Sequence, residues 1–164
     1  DQTTAEALAD HQRWEWPLAV LIGGEGELAG WRVMHVDDCG IVFTRAGQSW
    51  AVSNGRLPSF SLAPDLADDA TAGILLGMVR EWGDERGRRL EAECIGRKQW
   101  RVCSCRDVWA EWARTDGTGE SMGEAAGRCL LACWALDAAD GGARPIPRLD
   151  NNCNTGRGPD GATE

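Results

Sequence analysis

From Asp68 to Gly83 the apolar side chains recur at Ile74, Leu75, Met78, Val79 and Trp82, the spacing of one face of an α-helix. A helix with a single apolar face is stable only when that face is covered by a second layer. Asp68, Asp69 or Thr71 can cap its start, and Gly83 is the expected stop. The patterns on either side have a period of two. That combination predicts an α+β fold, in which short antiparallel sheets supply the cover.

Before this helix, Thr3 or Thr4 can cap a short first helix through Leu8, and Trp14 and Trp16 alternate as in extended chain. Leu18–Ile22, Leu28–Val36, Ile41–Thr44 and Ser49–Val52 then read as short strands, separated by Gly and Asp turns. They suggest a small antiparallel β meander or partial barrel over residues 1–66. Residues 67–139 read as helix, short antiparallel sheet and closing helix, sharing the core. In that part Leu90–Cys94 and Trp100–Ser104 alternate about a Gly96-Arg97-Lys98 turn, Val108–Ala113 is a candidate third strand, and Thr115–Gly119 reads as a loop. Ser121 or Thr118 caps the closing helix, whose expected buried stripe is Ala125, Ala126, Cys129, Leu130, Cys133 and Leu136. Residues 140–164 form a Gly/Pro/Asn-rich tail with little apolar surface to bury.

Two stretches resemble small uncharacterised accessory proteins of tailed bacteriophages. Residues 65–84 are similar to their Asp-x-Ala-Thr-x-Gly-x-Leu-Leu opening and Val-Arg-Glu helix. Residues 123–135 are similar to their closing Glu-Ala-x-Gly-Arg-x-Leu-Leu-Ala helix, and Arg13-Trp14-Glu15-Trp16 to their N-terminal Trp pair. These motifs are helix caps and core stripes. The resemblance therefore implies a phage origin and an α+β fold. It brings no activity and no catalytic residue.

The seven Cys are an odd number, and no basic-then-apolar signal segment opens the sequence, so the expectation is a reducing cytoplasm, here that of a bacterial host. No apolar run approaches the ~20 residues of a membrane span. Cys103, Cys105, Cys129 and Cys133 are the nearest approach to a metal set, provided the strand pair and the helix pair face each other. Reading them as small buried hydrophobes takes precedence, and neither a metal nor another cofactor is expected. His35 beside Asp37, and the acid pairs Asp37-Asp38 and Asp68-Asp69, read as turn and cap residues rather than acid–base or Mg²⁺ sets. Gly117–Gly123 lacks the lysine of a phosphate loop and carries Glu120. No catalytic set emerges, and the chain reads as a non-enzyme.

Charge is unevenly distributed. With 26 acids and 17 bases the net charge is −9, yet residues 80–114 alone hold 9 bases against 7 acids. Arg86, Arg88, Arg89, Arg97, Arg101 and Arg106 lie there with Trp100 and Trp109. Arg forks and Trp faces suit a nucleotide, a small anionic ligand or single-stranded nucleic acid, so residues 86–112 are the candidate ligand site. Interleaved Glu91, Glu93, Asp107 and Glu111 can pair with the same arginines. The acidic remainder suits a basic partner. The leading functional expectation is an accessory protein that binds and modulates a host protein, most concretely an inhibitor of a host defence complex. The alternatives are the anion binder and a minor virion component.

Overall fold

The computed structural model describes residues 3–24, 27–37, 40–53, 62–105 and 114–139. Along the chain run α1 (Thr4–Ala9), β1 (Arg32–Asp37), β2 (Gly40–Arg45), β3 (Gln48–Ser53), α2 (Asp69–Asp84), β4 (Arg89–Gly96), β5 (Gln99–Cys105), β6 (Arg114–Gly119) and α3 (Met122–Ala139). The strands form two open antiparallel sheets of three, ordered β1-β2-β3 and β4-β5-β6. The fold is α+β, with an N-terminal meander and a helix–sheet–helix unit as the alternation predicts. The meander stays open and does not curl into a partial barrel.

In the meander, β2 and β3 meet at Ala46-Gly47, both at positive φ (49° and 80°), as a tight two-residue hairpin requires. Val33, Ile41, Phe43 and Val52 face inward onto Val20, Ile22, Leu28 and Trp31, forming one core cluster. Leu18–Ile22 does not become a regular strand. Ala19 takes a φ of 67°, which breaks the pleat and leaves only the bridges Leu21–Arg32 and Ile22–Pro64. The segment read as a strand from Leu28 begins only at Arg32, and a bulge between Val33 and His35 turns Met34 outward.

A second cluster lies between α2, α3 and the β4-β5-β6 sheet: Leu75, Val79, Trp82, Val102, Ala126, Cys129, Leu130, Cys133 and Trp134. Leu8 of α1 and Trp14 belong to it as well, so α1 and the segment through Trp14 pack with the C-terminal unit, across the division read at residue 66. Trp16, edge-on to Trp14 at 5.5 Å, packs against both clusters. It does not sit in a strand.

Thr3 caps α1 with a reciprocal Thr3–Glu6 capping box. Asp68 caps α2: its carboxylate accepts the Thr71 N–H at 2.8 Å and a paired fork from Arg32. Gly83 does not stop α2. It is buried beneath Ser104, where a Cβ would stand 3.0 Å from the hydroxyl, and Gly87 at φ 61° makes the left-handed turn instead. The loop read at Thr115–Gly119 is β6. Gly117 and Gly119 alternate on the side under α3, where an added Cβ would come within 2.3 Å of the Cys129 nitrogen and 2.7 Å of the Glu124 Cβ. The missing side chains let helix and strand backbones touch. Val108–Ala113 and the tail 140–164 lie outside the described residues. On α3, Leu136 is exposed, and Trp134 and Asp137 take the buried positions.

Gly117→Ala is expected to lower stability by about 3 kcal/mol through overpacking. Gly77→Ala, at an α2 position where nothing lies within 4 Å of the new Cβ, should raise it by ~0.5–1 kcal/mol. Urea unfolding of the two variants checks both signs.

Candidate functional site

Among the described residues, the arginines of residues 86–112 do not converge on one surface. Arg86 and Arg88, in the turn after α2, fold back over the Trp82 ring. Their guanidinium carbons lie 4.5 and 5.2 Å from the Trp82 ring centre. Arg86 also donates to the Trp82 carbonyl, to Glu85 and to both carboxylate oxygens of Asp137. Arg88 donates to the Ser104 carbonyl and the Thr115 hydroxyl, bracing β5 and β6. Arg101 is paired with Glu93 across the β4–β5 ladder. Trp100 projects to the opposite side from Arg101 and packs, half-buried, on the core. Arg89 and Arg97 are exposed, but they flank the two ends of β4, ~25 Å apart by strand rise. Arg106 and Trp109 lie outside the described residues. Of the described candidate arginines, three are thus held by the protein itself and two stand far apart.

An open cleft of about 580 Å³ does lie beside the β4–β5 turn, between Arg97 and Lys98 and the start of α3. Glu120 and Glu124 line its other wall. The Glu124 carboxylate accepts the Glu120 N–H at 2.8 Å and binds Arg128, so the protein's own anion fills the helix N-terminus. Gly117–Gly123 is thereby strand and cap, and not a phosphate cradle.

The most constrained charged group is Asp137, which the sequence reading passed over. Its side chain is only 8% exposed. It receives Arg13 Nη1 at 2.7 Å, Trp82 Nε1 at 3.0 Å and the Arg86 fork at 3.1–3.2 Å. Burial pushes its carboxyl up. The hydrogen bonds from Arg13 and Trp82 and the Arg86 charge outweigh that, leaving it below the ordinary carboxylate range. Next to it His11 stacks on Trp134 at 4.5 Å and accepts the Arg13 N–H on Nδ1; burial, aided by the Arg13 charge, keeps this imidazole below its usual pKa. The cluster holds α1, α2 and α3 together and presents no open face for a substrate.

Of the remaining candidates, Asp38 lies outside the described residues. His35 meets Asp37 at 3.1 Å on an exposed strand end, and Asp37 accepts the Gly40 N–H across the turn. Asp68 is held down to about 2 by the Arg32 fork, against the opposing effect of burial and with help from the Thr71 N–H and hydroxyl. The four-cysteine metal set does not assemble. Register sends Cys103 and Cys105 to the side of the sheet away from Val102, while Cys129 and Cys133 lie in the core with Val102. A hydrogen bond with Cys129 and burial hold the Cys133 thiol well above its ordinary range, so it is neutral and behaves as core.

A scan against protein-family models and searches of curated proteins and of solved structures return no match to this chain. No helix among the described residues is long and apolar enough to cross a membrane.

Asp137→Ala strands two buried guanidinium groups and should cost about 3–5 kcal/mol, measured by chemical denaturation. Asp68 has a lowered carboxyl pKa in the fold. Its contribution is complete above the ordinary carboxylate range near 4 and is lost as pH falls towards 2. Asp68→Asn should flatten the stability profile over that window.

Proposed function

We propose that the chain is a non-enzymatic accessory protein of a tailed bacteriophage that acts in the host cytoplasm by binding and modulating a host protein. Its most concrete form is an inhibitor of a host defence complex. The observation that carries the reading is the internal use of Arg86, Arg88 and Arg101. Among the described residues, these three arginines are used on partners within the fold, and Arg89 and Arg97 stand far apart. What faces solvent is dominated by carboxylates, among them Glu15, Glu27, Asp69, Asp84, Asp116 and Glu120. Such a surface steers towards a cationic partner, including a protein surface that otherwise holds nucleic acid. The resemblance of residues 65–84 and 123–135 to phage accessory proteins supplies the biological setting. The same observation weakens the nucleotide-binding alternative, since an anion entering the cleft at Arg97 meets Glu120 and Glu124.

Tagged protein incubated in bacterial lysate at low ionic strength is expected to retain one discrete basic protein in near-equal amount, and to release it as salt is raised. Retention of nothing beyond what an equally acidic control protein holds would contradict the reading. A rise in melting temperature with one member of a nucleotide panel would favour the anion-binding alternative.

A further inference from the structure

Cys103 and Cys105 alternate with Val102 and Ser104 along β5, and so share the sheet face turned away from the α2–α3 core. Both are buried all the same, at 1% and 4% exposure. Glu91, on β4, is the direct cross-strand partner of Cys103. Its Oε2 lies 3.7 Å from the Cys103 Sγ, and one ligand atom from each of Glu91, Cys103 and Cys105 falls within 4.8 Å of the other two.

We propose that Glu91, Cys103 and Cys105 form a three-ligand site for a thiophilic divalent cation of the zinc class. Tetrahedral Zn²⁺ with bonds of about 2.0–2.3 Å holds its ligand atoms roughly 3.3–3.8 Å apart. The observed ligand atoms, all within 4.8 Å of one another, need only draw closer together to reach that geometry. Binding replaces the two thiol protons, which leave to solvent, and sets two thiolates and one carboxylate around the cation. Two sulfurs select zinc-like ions over Mg²⁺ or Ca²⁺. Three protein ligands leave a fourth position for water or an incoming group. The neighbouring charges on this face are compatible: Glu93 is neutralised by Arg101, Arg89 lies opposite Cys105, and Asp116 lies opposite Cys103 on β6. A disulfide is the weaker chemistry here. Residues i and i+2 of a strand stand about 6–7 Å apart, whereas a disulfide needs Cβ atoms within roughly 3.5–4.5 Å.

The test is a Co²⁺ titration of the full chain, reduced and stripped of metal, followed by displacement with Zn²⁺. One equivalent should bind with a thiolate-to-cobalt charge-transfer band and tetrahedral ligand-field bands, and Zn²⁺ should bleach them. The C103S/C105S double variant should lose the bands, while Cys94→Ser, at an exposed thiol, should keep them. Glu91→Gln, half-exposed and therefore compatible with folding, should weaken binding about tenfold or more. Absence of a thiolate band in the unmodified chain would overturn the proposal. So would bands that survive in C103S/C105S, or unchanged affinity in Glu91→Gln.

Discussion

A carboxylate on the buried side of the last helix has to be matched, and the matching of Asp137 organises the C-terminal unit. Left alone in a core, such a group would cost several kcal/mol or take up a proton. It is instead reached by Arg13 from the segment after α1, by the Trp82 indole of α2 and by Arg86 from the turn after α2. Three helices that differ in sequence and direction are therefore anchored to one pair of oxygens. Hydrophobic burial supplies most of the cohesion, but it is non-directional. The donors around Asp137 specify which face of α1 meets α3, and how far the turn after α2 wraps back over Trp82.

That arrangement also decides the electrostatic character of the surface. Arg86 and Arg88 are two cations of the basic segment, and both are withdrawn onto Trp82 and the sheet beneath it. Part of the positive charge of this stretch is thus taken up inside the fold, while Arg89, Arg97 and Lys98 stay exposed. The acidic character of the rest of the chain then prevails, and the partner-binding proposal rests on that consequence. The two core clusters divide the labour. The meander is joined to the helical unit by Trp16, which packs on both clusters, and at the start of α2 through Arg32–Asp68 and the Leu21 N–H on the Thr71 hydroxyl.

Much of the fold was legible because its signals are local. The α2 stripe, the Asp68 cap, the Ala46-Gly47 hairpin and the alternation of β4 and β5 each follow from residues a few positions apart. The errors came where packing overrode local preference. Gly117 and Gly119 look like loop residues until α3 is laid against them, and then their lack of a side chain is what the strand requires. Leu18–Ile22 has strand composition, but the positive φ at Ala19 is not visible in it. The arginine cluster was misleading because its partners are distant: Asp137 lies 51 residues from Arg86. A clue was present. Asp137 stands four residues after Cys133 and three after Trp134, on the stripe that should be apolar. A charge on such a stripe calls for opposite charge elsewhere in the chain.

Arg86 serves Asp137 within the fold rather than a ligand outside it. A double-mutant cycle with Arg86→Ala and Asp137→Ala, read by urea unfolding, tests this most directly. Both side chains are largely buried, at 20% and 8% exposure, so solvent screens the pair little. The account predicts a coupling of at least ~1 kcal/mol between the two substitutions. Additivity to within about 0.3–0.5 kcal/mol would contradict it, and would return Arg86 to the set of residues available to a partner.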